Sequence, residues 1–197
     1  MVISEDILLA YGATEENYNP KDPVFYEGNM PKYYFQIKEG VVELTNYHED
    51  GKEFIQNILT TGESIGESFL FDNRLYPTNA VAKSVTTVWK LAKSNFFTLL
   101  QENPEVSLNM FHYLAGRLYN KYIMLFNISS TDPVFKIRSL MESLKDSPDE
   151  SRYSFQVPLT RKQLANLTGL RIETVIRAIK KMHHSNIVKI KNRKIYY

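Results

Sequence analysis

Glu173 and Arg177 are the residues whose types and spacing point most directly to chemistry in this chain. They lie four positions apart, so a helix would place both side chains on one face, one turn from each other. On that face a carboxylate can accept a hydrogen bond from cytosine N4, and a guanidinium can pair with guanine O6 and N7. An acid would weaken indiscriminate binding to phosphate, so its position here indicates base reading.

The segment around this pair is strongly basic. From Pro158 to Tyr197 it has ten basic residues and one acidic residue, whereas the rest of the chain has 14 basic and 21 acidic residues. A basic end on an acidic body predicts a polyanionic partner for that end alone. The bases alternate with periodic apolar residues, which favours a folded surface over a solvated basic tail.

The stretch LTRKQLANLTGLRIETVIRAIKKM predicts two helices joined by a tight turn. Thr160 and Gln163 form a capping-box pattern at the start of the first helix, and Gly169 suits the left-handed residue that ends it. The start of the second helix would enter the major groove. The candidate base-reading residues on its exposed face are Ile172, Glu173, Ile176, Arg177 and Lys180. The candidate phosphate contacts on the first helix are Thr160, Arg161 and Lys162.

The last residues, NIVKIKNRKIYY, predict a two-stranded wing with its turn at Lys191-Asn192-Arg193. Lys191 is a further candidate phosphate contact. His183 and His184 precede the wing, but the sequence has no other ligand cluster beside them. We therefore expect no metal site.

The remainder of the chain predicts a strand-rich domain and a long helix. Short strands broken by glycine turns between residues 20 and 94 favour an antiparallel β-barrel or jelly roll. A helix from Pro104 then carries apolar residues at heptad spacing, with Lys121 as the polar exception. The candidate dimer contacts on this helix are Phe111, Leu114, Leu118 and Leu125. The alternative is a helix that packs only on its own domain.

These elements give an α+β fold in three parts. Residues 1–103 would form the β-barrel or jelly roll with short flanking helices, 104–130 the long dimerisation helix, and 131–197 a winged helix-turn-helix domain. The chain has no cysteine, which excludes disulfides, thiolate zinc sites and iron–sulfur clusters. Neither a signal peptide nor an apolar run of about 18 residues is apparent, so we expect a cytoplasmic protein without a membrane partner.

The order of these parts resembles the cyclic-AMP receptor protein/fumarate–nitrate regulator (Crp/Fnr) superfamily of transcription factors. The stretches that carry the resemblance are DGKEFIQNILTTGESIGE and the helix-turn-helix sequence quoted above. The resemblance implies that Glu173 and Arg177 read bases and that Thr174 contacts phosphate. Ile172 stands where the cyclic-AMP branch has an arginine, so an operator different from that of this branch is expected.

The segment IGESFLFDNRLYPTNA resembles the ligand cassette of the same family, and we call residues 65–80 the cassette. Gly66 and Glu67 match its Gly-Glu, but Pro77 and Thr78 replace the Arg-Ser pair that grips the cyclic phosphate. On the long helix, Lys121 and Tyr122 replace the Thr-Ser that meets adenine. Arg74 is the one basic residue in the cassette, and it lies three residues before the position of the family's arginine. Cyclic-nucleotide binding is therefore not expected, and another small-molecule effector stays open.

The expected function is sequence-specific binding of double-stranded DNA by a homodimer, with RNA polymerase as a further candidate partner. In one alternative, a protein of the same fold acts as a ligand-sensing or protein-interaction module without specific DNA reading. A second alternative, an enzyme that uses Glu67, lacks a second carboxylate at evident spacing. A haem would need an axial ligand, for which His48 and His112 are weak candidates. We expect no cofactor and no catalytic residues.

Overall fold

The computed structural model of the protein describes residues 1–72, 74–145 and 152–197. The chain divides into two compact units, Met1–Leu118 and Tyr119–Tyr197, and the boundary falls within one long helix. None of the helices in the described part of the chain combines the length and hydropathy that crossing a bilayer requires.

The first unit contains two four-stranded antiparallel sheets. Their strands are β1 (Thr14–Tyr18), β2 (Pro23–Phe25), β3 (Tyr33–Glu39), β4 (Val41–Tyr47), β5 (Glu53–Thr60), β6 (Ser64–Ile65), β7 (Asn79–Ala82) and β8 (Thr86–Ala92). The strand orders are β1-β8-β3-β6 and β2-β7-β4-β5. This confirms the predicted jelly roll, but the sheets do not close into a barrel. The edge strands β2 and β6 have only three and two residues.

Alternate side chains of the strands form a core between the two sheets. In β4, for example, Val42 and Leu44 point inward, as the two-residue period of a strand requires. The core residues are Phe25, Phe35, Ile37, Val42, Leu44, Leu59, Ile65, Tyr76, Ala80 and Val88.

Four helices accompany the sheets. They are α1 (Glu5–Ala10), α2 (Ser68–Asp72), α3 (Lys93–Glu102) and α4 (Pro104–Ser129). A second core packs helical residues against β3 and β8, and in it the rings of Tyr34 and Phe96 stack with centroids 4.6 Å apart. Val106 and Met110 anchor the start of α4 in this core. The beginning of α4 therefore belongs to the first unit.

The long helix α4 begins at Pro104 and ends at Ser129. Pro104 occupies the first helical position, where its missing N–H is no loss. The helix ends at Ser129, and Asp132 then caps α5 (Pro133–Ser143) by accepting a hydrogen bond from the Val134 N–H at 3.0 Å. The chain therefore breaks its helical course between Ser129 and Pro133.

The second unit contains the predicted helix-turn-helix and wing. After α5 it has α6 (Arg161–Thr168), α7 (Ile172–His184), β9 (Lys189–Lys191) and β10 (Lys194–Tyr196). The capping box is present: the Gln163 N–H donates to Thr160 Oγ1 at 3.2 Å, and the Thr160 N–H donates to Gln163 Oε1 at 3.0 Å. Gly169 ends α6 with a φ of 69°, which a side chain would strain.

The wing hairpin is closed by a two-residue turn. Asn192 and Arg193 both have positive φ, 48° and 61°, which is the pattern of a type I′ turn. The Val157 N–H donates to the carbonyl of Ile195, so the segment before α6 adds to the hairpin. The wing is thereby fixed to the same unit as α6 and α7.

Candidate functional site

The first half of α7 presents the predicted base-reading residues. Glu173, Arg177 and Lys180 are exposed, Ile172 is 40% exposed, and Ile176 is half-buried. The opposite stripe of the helix, Val175, Ala178, Ile179 and Met182, is buried in the core of the second unit. One face of α7 is therefore held by packing, and the other is free to meet a ligand.

The N-terminal end of α7 is also open to an anion. Arg171 occupies the N-cap position and makes no side-chain capping bond there. The first N–H groups of a helix lack partners within it and point outward. Together with the partial positive charge of the helix end, they suit a phosphate oxygen. Thr174, half-buried in the first turn, is the predicted phosphate contact nearest to this end.

The candidate phosphate contacts on α6 have different surroundings. The hydroxyl of Thr160 is engaged in the capping box, so its side chain already serves the helix. Arg161 Nη1 donates to the carbonyl of Arg193 at 3.0 Å, which connects the start of α6 to the wing turn. Lys162 and Lys191 are exposed. Arg161 therefore has a structural contact that the sequence did not reveal.

In the first unit, the cassette glutamate is buried in an ion pair. Glu67 is 1% exposed. Arg117 of α4 donates from Nη1 to Glu67 Oε1 at 2.8 Å, to Oε2 at 3.1 Å and to the carbonyl of Ser64 at 3.1 Å. Tyr113, one turn earlier on α4, accepts a hydrogen bond from the Ser64 N–H at 3.3 Å. These contacts fasten α4 to β6 and to the turn between β6 and α2.

The tyrosines around this ion pair stay protonated. Burial raises the pKa of the Tyr113 hydroxyl; Arg117 opposes this shift, and Glu67 adds to it. Burial likewise raises the pKa of Tyr34 and of Tyr76, and the Glu67 carboxylate raises both further. These hydroxyls therefore add no charge beside the Glu67–Arg117 ion pair.

Gly66 lies against two stacked aromatic rings. The centroids of Phe25 and Tyr76 are 3.6 Å apart, with an angle of 7° between the ring planes. A Cβ atom on Gly66 would lie 2.9 Å from the Tyr76 ring and 3.0 Å from the Phe25 ring. The two rings thus fill the space beside the Gly66 backbone.

The end of the cassette is held by hydrogen bonds within the unit. The Thr78 hydroxyl donates to the carbonyl of Thr45 at 2.9 Å, and the side chain of Thr78 is buried. Asn46 Nδ2 donates to the carbonyl of Pro77 at 2.7 Å. Arg74 does not approach this loop, since it pairs with Asp72 at 2.8 Å and its side chain is 78% exposed. The polar groups at positions 77 and 78 are consequently used within the protein.

Part of α4 carries exposed apolar residues. Phe111, Leu118 and Leu125 are 62%, 55% and 68% exposed. Leu114, the fourth predicted dimer contact, is half-buried and packs on the core of its own unit. We call the exposed row at spacings of three and four the α4 seam. Its members are Leu108, Phe111, Ala115, Leu118, Tyr122 and Leu125.

The remaining predicted cassette partners lie further along α4. Lys121 and Tyr122 belong to the second unit, and both are exposed. Tyr122 is part of the α4 seam. Among residues 1–72, 74–145 and 152–197, the structure contains no group of three or more His, Asp or Glu side chains that could hold a metal ion.

Known protein families match residues in each of the two units. A family model described as a Crp-like helix-turn-helix domain matches residues 137–197, and one described as a cyclic nucleotide-binding domain matches residues 15–103. The chain belongs to the Crp/Fnr superfamily of transcription regulators. DNA binding and transcription regulation, predicted from the helix-turn-helix, are confirmed at this level.

Similar Crp/Fnr proteins cover most of the chain. The cAMP-activated global transcriptional regulator CRP of Pasteurella multocida is 26% identical over 174 residues, 87% of this chain and 83% of that protein. The c-di-GMP responsive regulator CLP of Xanthomonas campestris has a TM-score of 0.80 at 18% identity, covering 97% of this chain and 96% of that one. A mutant of CooA from Carboxydothermus hydrogenoformans has a TM-score of 0.81 at 19% identity, covering 98% and 87%. These two structural likenesses show the fold alone.

Sequence reasoning about this Crp/Fnr chain missed Arg117. A signal for it was present, since Met110, Leu114 and Arg117 follow one another at helical spacing on the face of α4 that packs on its own unit. A cation on a packed stripe needs a buried acid as its partner. Glu67, already singled out in the cassette, is that acid.

The ion pair predicts a specific pattern of stability. Replacing Arg117 with Met leaves the Glu67 carboxylate buried without its cation, so we expect the free energy of unfolding to fall by about 3 kcal/mol. The double variant Glu67→Gln/Arg117→Met, which removes both charges, should recover most of that loss. Urea unfolding followed by circular dichroism measures each value.

Arg74→Met is the matched control for this prediction. Its ion pair with Asp72 is exposed, so the loss should be at most about 1 kcal/mol. Equal losses for Arg74→Met and Arg117→Met, or a double variant less stable than Arg117→Met alone, would contradict a buried charge pair at this place.

Proposed function

We propose that this protein is a homodimeric, sequence-specific transcription regulator that reads a pseudo-palindromic operator and does not respond to cyclic AMP. The observation that carries the proposal is the exposed face of α7. It offers a carboxylate, a guanidinium and an ammonium group, from Glu173, Arg177 and Lys180, at the start of a helix whose other face is buried. Hydrogen-bonding groups of this kind distinguish base pairs in the major groove.

Residues around α7 supply the contacts to DNA that do not depend on the base sequence. Lys162 and Lys191 are exposed on α6 and on the wing, and Thr174 lies in the first turn of α7. We assign phosphate contacts to these residues and to Thr160 and Arg161. Contacts of this kind orient a protein on the duplex without reading its sequence. We assign base reading to Glu173, Arg177 and Lys180, and to Ile172 and Ile176 on the same face.

The α4 seam supports the proposed dimerisation. Large apolar side chains that repeat at heptad spacing and stay more than half exposed favour pairing with a second helix. A two-fold dimer would place two α7 helices about one DNA turn apart, roughly 34 Å, and so require an inverted repeat. In this proposal residues 1–103 form the effector-type domain, 104–130 the dimerisation helix and 131–197 the DNA-binding domain. RNA polymerase stays a candidate partner.

The cassette residues do not fit a cyclic nucleotide. Pro77 supplies neither a charge nor an N–H group, and the Thr78 hydroxyl is bonded to Thr45. Glu67 is bonded to Arg117, and the rings of Phe25 and Tyr76 fill the space beside Gly66. A cyclic phosphate would lack charge-assisted hydrogen bonds, which contribute about 1.5–3 kcal/mol each. The engagement of Glu67 also speaks against an enzyme built on that carboxylate.

Two substitutions distinguish base reading from phosphate contact. Arg177→Ala should lower affinity for the selected operator by about 1–3 kcal/mol and relax the preference at one base pair, since a bidentate base contact is removed. Lys191→Ala should weaken binding to all sequences alike and reduce the salt slope by about 1. Selection from randomised duplexes and titrations at several salt concentrations measure both. The reverse pattern, or a selection without an inverted repeat, would contradict the proposal.

The dimer is tested on the α4 seam. Leu118→Glu would place a charge in the apolar interface, so native mass spectrometry should show a monomer where the wild type shows a dimer. Asn120→Glu adds the same charge at an exposed position of α4 outside the seam and should leave the dimer intact. A wild-type monomer, or a dimer that survives Leu118→Glu, would rule out this seam as the interface.

Cyclic AMP and cyclic GMP are tested by isothermal titration of the full chain. We expect no binding at micromolar ligand, because the phosphate partners are absent or engaged. Native mass spectrometry of freshly purified protein reports any other small molecule that is retained. Micromolar affinity for either cyclic nucleotide would show that the cassette still accepts this ligand.

A further inference from the structure

Two isoleucines lie on the face of α7 that also carries the charged base-reading residues. Ile172 is 40% exposed and Ile176 is half-buried. Neither belongs to the core of the second unit as the structure describes it, because α7 contributes Val175, Ala178 and Ile179 from its other side. Packing therefore does not explain why aliphatic side chains occupy these positions.

The isoleucines alternate with the charged pair along the helix. Ile172 and Glu173 lie in the first turn, and Ile176 and Arg177 occupy the same two rows one turn later. The face thus has an aliphatic row beside a charged row. Covering an exposed aliphatic row with another apolar surface is favourable by about 25 cal/mol per Å² buried. A row that stays in contact with water does not have this stabilisation.

The major groove offers one apolar group of suitable size. Thymine carries a 5-methyl group there, whereas the groove edges of adenine, guanine and unmodified cytosine present hydrogen-bonding groups. Four residues of α-helix rise about 6 Å, and successive bases on one strand lie about 3.4 Å apart. Two isoleucines one turn apart can therefore reach thymines about two steps apart when the helix lies along the groove.

We infer that Ile172 and Ile176 determine specificity by contacting thymine 5-methyl groups in each half-site, beside the base pairs read by Glu173 and Arg177. The inference rests on the proposed function, since it requires α7 in the major groove. It assigns the aliphatic row to direct base recognition. It also predicts half-sites in which A·T pairs adjoin the G·C pairs that the charged row reads.

Single-group changes in the DNA test this assignment. The duplex is the inverted repeat that the full chain selects from a randomised library, with each thymine replaced in turn by deoxyuridine, which lacks only the methyl group. Where a thymine methyl group packs on an isoleucine, we expect its removal to lower the affinity about fourfold, the effect of uncovering one methyl-sized group. The fall should be confined to one or two thymines in each half-site.

Protein variants connect each methyl group to its residue. Ile172→Ala should bind thymine and uracil duplexes equally at one position, and Ile176→Ala should do so at another. Lys181→Ala, an exposed change on the same helix, is the matched control. It should preserve the fourfold ratio while weakening both duplexes. Unchanged dimer mass and unfolding midpoint show that each variant is folded, and the uracil scan on the wild type needs no variant.

The outcomes separate this inference from the proposed function. Failure to select any inverted repeat would refute both. A selected repeat that tolerates uracil at every thymine would refute the methyl contacts while leaving a DNA-reading regulator in place. A fourfold penalty that persists in both alanine variants would assign the methyl contacts to residues other than Ile172 and Ile176.

Discussion

The buried carboxylate of Glu67 is the constraint around which the first unit is arranged. It is 1% exposed and lies at the turn between β6 and α2, so it needs a cation close by. Arg117 supplies that cation from α4, 50 residues later in the chain, and bonds both carboxylate oxygens. An unpaired charge at this depth would cost several kcal/mol. The position of the first turns of α4 on the sheets is therefore set by charge as well as by the apolar contacts of Val106 and Met110.

The polar groups of the cassette are bonded to other residues of the first unit. Glu67 is engaged by Arg117, the carbonyl of Pro77 by Asn46, and the Thr78 hydroxyl by Thr45. Polar groups that hold a ligand in a binding site must be free to exchange their partners for it. Here the exchange would expose a buried ion pair and break hydrogen bonds in a region filled by aromatic rings. Within the first unit, Glu67 of the cassette holds α4 through Arg117.

The charged residues that the structure describes in the second unit lie on its surface. Its basic residues face outward, and its apolar residues alternate with them so that each helix has a buried side. The contact between Arg161 and the carbonyl of Arg193 ties the start of α6 to the wing turn. Because both ends of this contact are next to candidate phosphate contacts, it fixes the spacing of the basic surface. The second unit thus presents a basic surface, whereas the first unit holds the charge of Glu67 in a buried ion pair.

Local patterns in the sequence determined much of this fold. The capping box at Thr160, the left-handed Gly169 and the wing turn each depend on residues a few positions apart, so the sequence predicts them directly. The jelly roll followed from short strands and glycine turns, and the face of α7 followed from its helical period. The family resemblance added the cassette and its departures at Pro77 and Thr78.

Only the tertiary structure determined which residues from distant parts of the chain contact each other. The partner of Glu67, the contact from Arg161 to the wing and the separation of the two sheets depend on residues far apart in the chain. The α4 seam shows the same limit. Heptad spacing alone allowed Leu114 as a dimer contact, whereas the structure packs Leu114 on its own core and leaves Ala115 and Tyr122 in the exposed row. Periodicity identifies a helix with an apolar face, but the direction of that face depends on the surface against which the helix packs.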